Sequence, residues 1–168
     1  MDGHGEDTWN SILKKSGVPE DSFISMERYN DDITYALVDA TSEVLEAPAE
    51  ACLELFGHYW ATVTAPSAYE MLFDSTGETL FEFLENINSL HDRITSTFIG
   101  YIPPYFIATA DKNKMELTYE SKREGLTPFV VGILKGLAER FEVNIEFESV
   151  KPVEVSSGET SIIIIHIV

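Results

Sequence analysis

The sequence predicts an α+β fold, with helices in the first two thirds of the chain and mainly strands in the last third. Apolar residues recur every three or four positions in the first part, and the period shortens to two later on. The chain has 168 residues, of which 44% are hydrophobic, enough for one full core but not for two. We therefore expect residues 1–168 to form a single domain, a helical half packed on a small antiparallel sheet.

Four helices are predicted in the first half of the chain. Asp7 or Thr8 is expected to cap the first of them. The second begins near Asp31, where carboxylates favour the positive end of the helix dipole. Pro48 at the N1 position opens the third. A short fourth helix is predicted from Pro66 to Phe73.

The strongest helical pattern runs from Thr79 to Phe98, because this segment contains neither glycine nor proline and ends only at Gly100. After Pro103 and Pro104 the period becomes that of strands, and one further helix interrupts them. The expected elements are strands Tyr105–Ala110 and Lys114–Ser121, helix Thr127–Phe141, and strands Val143–Val150 and Ser161–Val168.

The composition argues against several classes of partner. The chain has 29 acidic and 11 basic residues, and its net charge of -18 repels phosphate backbones and anionic lipids. Nucleic acid and membrane are therefore not expected partners. Cys52 is the one cysteine, so no internal disulfide can form, and neither a signal peptide nor a membrane-spanning stretch is evident. We expect a cytoplasmic protein.

His91 falls within the apolar stripe of the long predicted helix. At about 100° per residue, Leu84, Ile87 and His91 lie close to one line. A lone histidine in such a stripe is most often a core residue whose ring nitrogens bond to the protein. A neutral imidazole in an apolar slot is also what a haem iron needs as its axial ligand. Periodicity does not choose between the two.

Three hydrogen-bond donors occupy alternate positions around the end of the second predicted strand. Tyr119, Ser121 and Arg123 lie at i, i+2 and i+4, so they project from one face of an extended chain. A phenol, a serine hydroxyl and a guanidinium together suit a pair of carboxylates, and Arg123 can bind bidentately. An ordinary solvated strand end would give the same alternation.

The string Tyr-Glu-Ser-Lys-Arg from Tyr119 to Arg123 matches the Tyr-x-Ser-x-Arg motif of the haem nitric-oxide/oxygen-binding (H-NOX) domains. This family includes the haem domain of the soluble guanylate cyclase beta subunit. Other segments resemble the same family, in the same order, along nearly the whole chain. They are Gly5–Trp9, Thr34–Val38, Ser42–Leu45, Phe83–Asn86, Leu90–His91 before Arg93, Pro103–Pro104, Glu124–Leu126 and Val131–Gly136.

The resemblance implies that haem b lies between the helical half and the sheet, with His91 as the axial iron ligand. Tyr119, Ser121 and Arg123 would bind the haem propionates, and Pro104 would press on the macrocycle and distort it. The resemblance also implies apolar contacts with the cofactor. The residues expected to make them are Leu84, Ile87, Phe129 and Trp60.

The family resemblance is incomplete at the N-terminus. Members have a further helix ahead of the segment that matches Gly5 to Trp9, and only residues 1–4 precede it here. That helix covers part of the distal side of the haem, so its absence would expose apolar surface at about 25 cal/mol per Å² and admit water. A second chain, or repacking of Trp9 and Phe23, would be needed to cover the gap.

The function that the resemblance implies is gas sensing without catalysis. NO or CO would bind the iron opposite His91, and in the cyclase relatives NO weakens the bond from iron to this histidine. The output would then come from a histidine kinase, a cyclic-di-nucleotide enzyme or a guanylate cyclase domain. An alternative is a haem peroxidase, for which His58 is the one candidate distal acid or base. A haem-free, partner-binding scaffold is another alternative, which the absent first helix makes plausible.

The choice of gas depends on a distal hydrogen-bond donor. In O₂-binding relatives this donor is a tyrosine three residues before a glycine, on the helix after the motif. Counting back from Gly132 gives Phe129, whose ring cannot donate. We therefore expect no stable O₂ complex, although Tyr59 or Trp60 could supply a donor and make the protein an O₂-binding or redox sensor.

The remaining histidines and the cysteine are assigned no leading function, although His58 is the alternative candidate for the iron ligand. His4 belongs to the terminal segment, His58 is expected at the surface, and His166 on a half-exposed face of a strand. Cys52 belongs to no Cys-x-x-Cys pattern, so neither a zinc site nor covalently attached haem is indicated.

Overall fold

The computed structural model describes residues 5–19, 29–96 and 102–168. These residues form six α-helices and one four-stranded antiparallel sheet, which confirms the α+β class. None of the described helices is long and apolar enough to cross a membrane. The predictions for His4, for Phe23 and for the helix end at Phe98 and Gly100 fall outside the described residues.

The chain divides into two compact units, residues 1–53 and 54–168. In the first unit, α1 (Glu6–Ser16) and α2 (Asp31–Leu45) pack against each other. The predicted caps of α1, Asp7 and Thr8, are wrong. This helix begins at Glu6, after Gly5 and with no side-chain cap, so Asp7 lies in the first turn, where its charge still favours the helix dipole.

The next helices are joined where the sequence predicts separate ones. α3 (Ala49–Tyr59) continues through a five-residue π-helical turn (Trp60–Thr64) into α4 (Ala65–Asp74). Pro66 lies in the first turn of α4, and three residues later the helix is kinked at Tyr69, whose φ of -136° and ψ of 34° are not helical. π-helical turns are frequent at functional sites.

α5 (Leu80–Thr95) is the long helix predicted from the apolar stripe. It starts where expected, since the Thr79 side chain accepts a hydrogen bond from the Glu82 N–H at 3.2 Å. Leu84 and Ile87 are both buried on its inner face.

The sheet places the motif strand at its centre. Its order is β1-β2-β4-β3, and all neighbours are antiparallel, so β2 is an inner strand and β1 an edge. The bounds of the last two strands differ from the predicted ones by a few residues. β3 continues past a bulge between Phe147 and Ser149, and β4 begins directly after Gly158, whose φ is positive. The elements are β1 (Tyr105–Asp111), β2 (Lys114–Ser121), α6 (Thr127–Arg140), β3 (Ile145–Val153) and β4 (Glu159–Ile167).

The core of the second unit lies between the inner face of the sheet and helices α5 and α6. Alternate residues of β2 and β4 point into it, as a period of two requires. Helix α5 supplies a second row of apolar side chains and α6 a third. The most buried members are Phe83, Leu84, Leu117, Tyr119, Leu134, Leu137, Ile163 and Ile165.

Candidate functional site

His91 lies in the last turns of α5, with its imidazole largely buried. Its Nδ1 atom is inaccessible to solvent and forms no hydrogen bond with the described residues. Burial lowers the pKa of His91 below its ordinary value, although the nearby Pro104 carbonyl and the Asp92 carboxylate oppose the shift. The ring is therefore neutral at pH 7 and retains coordinating capacity, as an axial metal ligand requires.

Phe106 on β1 neighbours both His91 and the motif strand. The Phe106 ring lies 6.0 Å from the imidazole of His91 and 5.4 Å from the ring of Tyr119, measured between ring centroids. Tyr119 is 2% exposed and belongs to the core. The structure thus brings His91 and Tyr119 next to one buried ring on β1.

The predicted extended geometry ends before Arg123. β2 stops at Ser121, and residues 122–125 form a bend. The Ser121 Oγ atom accepts a hydrogen bond from the Arg123 backbone N–H at 3.0 Å, which holds this bend. The expectation that all three donors project from one strand is therefore wrong for Arg123, although both Ser121 and Arg123 are half-buried at the same end of β2.

Glu159 binds the two residues that lead from the bend into α6, a role that the sequence did not predict. Its carboxylate accepts hydrogen bonds from the Leu126 N–H at 2.9 Å and from the Thr127 hydroxyl at 2.6 Å. The Thr127 hydroxyl is also 2.7 Å from the hydroxyl of buried Ser161. Glu159 is distant in sequence from the start of α6, where Thr127 before a proline was the one local signal of a helix start.

An aromatic group surrounds the predicted distal position. The Phe129 ring lies 5.1 Å from Phe56 and 6.4 Å from Trp60, and the second pair is edge-on. Trp60 belongs to the π-helical turn and packs against the core cluster. Tyr59, the other possible donor on this segment, is 37% exposed.

The position of Phe129 depends on a close approach between α6 and α3. A Cβ atom at Gly132 would collide with the carbonyl oxygen of Glu54 and would lie 2.9 Å from the backbone nitrogen of His58. A Cβ atom at Gly57 would collide with the carbonyl oxygen of Phe129. The two helices therefore touch backbone to backbone, which only glycine permits at these positions.

The histidines set aside above bind carboxylates at the surface. His58 Nε2 is 2.9 Å from a carboxylate oxygen of Glu139, and His166 Nε2 is 2.6 Å from one of Glu148. His58 is thus engaged at a partly exposed position, as expected for a surface residue. This pairing gives no support to a peroxidase with His58 as its distal acid or base.

The described residues suit a haem better than a bare metal ion. Within residues 5–19, 29–96 and 102–168, no three His, Cys, Asp or Glu side chains could together hold a metal. His91 instead offers one neutral imidazole, and Leu84 and Ile87 are apolar neighbours on its helix. Ser121 and Arg123 offer a hydroxyl and a cation of the kind that carboxylates bind. These groups fit an iron porphyrin with two propionates.

Comparisons with known proteins agree with this chemistry. The family model described as Haem-NO-binding matches residues 1–149. Soluble guanylate cyclase gcy-32 of Caenorhabditis elegans is 30% identical over 152 residues, covering 84% of this chain and 22% of that protein. Guanylate cyclase soluble subunit beta-2 of Rattus norvegicus is 33% identical over 93 residues, covering 55% of this chain and 14% of that protein. The chain spans about a fifth of the length of such cyclases.

Solved structures share the fold along nearly the whole chain. A mutant Cs H-NOX carrying 4-cyano-L-phenylalanine superposes with a TM-score of 0.86 at 24% identity, covering 99% of this chain and 89% of that one. An H-NOX protein from S. oneidensis in the Fe(II)NO ligation state gives 0.83 at 21% identity, with 96% and 89% covered. An oxygen-binding H-NOX domain related to soluble guanylate cyclases gives 0.82 at 23% identity, with 98% and 86% covered.

Proposed function

Because the chain belongs to the haem-NO-binding (H-NOX) family, whose domains are haem-based gas sensors, we propose that it senses NO through haem b held by His91. CO would bind at the same position of the ferrous iron. Tyr119, Ser121 and Arg123 would hold the propionates, and Pro104 would contact the macrocycle. Leu84, Ile87, Trp60 and Phe129 would supply apolar contacts. We further propose that residues 1–168 act as one sensor domain without catalytic activity of its own.

The observation that carries this proposal is the buried imidazole of His91, which burial keeps neutral. Its Nδ1 atom is inaccessible to solvent, with the Pro104 carbonyl as its nearby backbone acceptor. His91 and the tyrosine of the Tyr-x-Ser-x-Arg motif also share Phe106 as a neighbouring ring. Axial coordination of iron accounts for both the neutral ring and its place beside that motif.

An absorption spectrum of the protein after haem reconstitution tests the proposal. We expect a Soret band in the ferrous form, and a shift of this band when NO or CO is added. No Soret band after reconstitution would contradict the proposal and favour a haem-free, partner-binding scaffold. A stable spectrum of the O₂ complex in air would instead favour the O₂-binding alternative.

Signalling would follow from the attachment of His91 to α5. Weakening of the iron–His91 bond by NO would free this helix to move relative to the sheet, which gives a ligand-dependent equilibrium between two conformations. The output would come from a histidine kinase, a cyclic-di-nucleotide enzyme or a guanylate cyclase domain. With Cys52 as its one cysteine, the chain is suited to the reducing cytoplasm, where we expect it to act.

Arg123→Ala is expected to weaken haem binding by about tenfold or more, the usual consequence of losing a charge-assisted contact. Arg123→Lys should recover only part of the loss, since an ammonium cannot bind a carboxylate bidentately. The measurement is the rate of haem transfer to an apo-globin acceptor. Lys122→Ala is the control, because Lys122 is exposed in the same bend. If haem transfers to the acceptor at the same rate from all variants and from the unsubstituted protein, Arg123 does not bind a propionate.

Phe129→Tyr is expected to confer measurable O₂ affinity on the ferrous protein. The substitution adds one hydroxyl at nearly constant volume, and a hydroxyl near bound O₂ stabilises the charge that shifts onto the oxygen. Absorption spectra of the ferrous protein in air, recorded before and after substitution, provide the measurement. Phe56→Tyr, at the neighbouring ring, is the matched control. If the unsubstituted protein already forms a stable O₂ complex, Phe129 is not what excludes O₂.

A further inference from the structure

The ladder between β2 and β4 ends at the pair of Ser121 and Glu159. Ser121 opens the bend after β2, and its Oγ atom accepts a hydrogen bond from the Arg123 N–H. The Glu159 carboxylate reaches the other end of the bend, where its two oxygens accept from the Leu126 N–H and the Thr127 hydroxyl. Two side chains that face each other in the sheet therefore hold the bend at both of its ends.

The residue before Glu159 also lies against the bend. Gly158 has a φ of +75°, and a Cβ atom there would lie 2.3 Å from the Ser121 carbonyl oxygen and 3.2 Å from the Lys122 Cα atom. Glycine is the residue that permits both this conformation and this close approach. The backbone of Gly158 thus touches the first residues of the bend, while the Glu159 side chain binds the residues that follow it.

The Glu159 carboxylate belongs to a network of buried polar groups. Thr127 is 8% exposed and Ser161 is 1% exposed, and their hydroxyl oxygens lie 2.7 Å apart. A hydroxyl donates one hydrogen bond and accepts others, so Thr127 can donate to Glu159 while it accepts from Ser161. Bonds to a charged acceptor are about twice as strong as bonds between neutral groups. Without the carboxylate, the Leu126 N–H and the Thr127 hydroxyl would lose their acceptor, which is costly at buried positions.

We propose that Glu159 is a positioning residue for haem binding, which fixes the bend so that Arg123 can bind a propionate. The inference rests on the propionate contact of Arg123 proposed above. Arg123 lies two residues after Ser121 and three before Leu126, so its backbone shifts when either end of the bend is released. Glu159 acts on the cofactor only through this backbone.

A carboxamide can replace the carboxylate in this arrangement. In Glu159→Gln the amide oxygen can accept from the Leu126 N–H and the amide nitrogen can donate to Thr127, whose own proton then turns to Ser161. Glu159→Ala removes both contacts. Because both variants lose the same negative charge, a difference between them measures the contacts. Glu154→Ala is the matched control for charge, since Glu154 is exposed and follows β3.

The first measurement is the rate of haem transfer from the haem-loaded protein to an apo-globin acceptor. Glu159→Ala is expected to raise this rate about tenfold, as for Arg123→Ala, because a displaced guanidinium contributes little to binding. The double variant should be no faster than Arg123→Ala, whereas independent effects would multiply to about a hundredfold. Glu159→Gln should stay within about threefold of the unsubstituted protein. Glu154→Ala should not change the rate.

The second measurement uses haem whose two propionates are esterified as the dimethyl ester. This haem has no carboxylate, so it cannot form a charge-assisted contact with Arg123. Its transfer from Glu159→Ala should therefore be as fast as its transfer from the unsubstituted protein. A general loosening of the domain would instead speed the loss of both haems. The comparison separates positioning of Arg123 from a loss of packing.

Three outcomes would overturn the role of Glu159. One is transfer of haem from Glu159→Ala at the rate of Glu154→Ala, while Arg123→Ala transfers haem about tenfold faster. Another is faster loss of the esterified haem from Glu159→Ala, or multiplication of the two effects in the double variant. The third needs no variant that must fold: the Leu126 amide hydrogen of the unsubstituted protein exchanges rapidly, although a bonded N–H is protected. If Arg123→Ala itself retains haem fully, the propionate contact fails and this inference fails with it.

Discussion

His91→Ala should abolish the Soret band of the reconstituted protein. The imidazole is the proposed axial ligand, and the described residues place no further histidine beside it, since His58 and His166 bind carboxylates elsewhere. Losing the axial bond leaves only contacts to the propionates and apolar contacts to the ring, which hold the iron in no fixed position. Absorption spectra after reconstitution and gel filtration provide the measurement.

Two further variants separate loss of the ligand from loss of the fold. His91→Gly leaves a cavity of imidazole size in α5, so added imidazole should enter it and restore the band. His58→Ala and His166→Ala should retain the band, because each loses only a surface pair. Full haem binding by a folded His91→Ala protein would rule out His91 as the ligand.

Gly132→Ala should destabilise the protein by about 3 kcal/mol or more, at the upper end of overpacking effects. Helix propensity alone predicts the opposite sign, a gain of about 1 kcal/mol for Gly to Ala inside a helix. We expect the steric collision to outweigh the gain in helix propensity, because the added methyl group would meet the backbone of Glu54 and not a movable side chain. Thermal unfolding should show a fall in Tm of roughly 6 to 12 °C for a chain of this size.

Gly125→Ala is the comparison for this prediction. A Cβ atom there meets nothing within 4 Å, but φ is +75°, so the expected cost is only the conformational strain of about 1 to 2 kcal/mol. Gly132→Ala should be clearly more destabilising than Gly125→Ala. If the Tm of Gly132→Ala instead equals or exceeds that of the unsubstituted protein, the close approach of α3 and α6 is wrong.

Element positions were predictable wherever local patterns are strong. The apolar stripe and the Thr79 cap gave α5, and alternation with a polar turn gave the hairpin of β1 and β2. The π-helical turn at Trp60–Thr64 was not predicted, because an extra residue in one turn leaves the apolar spacing almost unchanged. The bulge at β3 was missed for a related reason: strand periodicity tolerates a single-residue slip.

The residue types of the candidate site were predictable, but the side chains that hold the backbone around it were not. Residue types and the family motif indicated His91 and Tyr119, and the structure adds that the Phe106 ring neighbours both of them. The sequence did not predict the contacts of Asn88 and Glu159. Both side chains bond to backbone groups that are far away in sequence, and such contacts require no particular residue type in the partner.

The order of strands also bears on how the protein folds. β1 and β2 form a hairpin whose contacts are local, but β2 gains its second neighbour only when β4 pairs with it, across a long stretch of chain. Closing such a loop is entropically costly and slow. The hairpin can therefore form early, whereas the Ser161 and Glu159 contacts that support the bend after Ser121 arise with the last pairing. The ability to bind haem should accordingly return late in refolding, after most of the helical circular dichroism has been recovered.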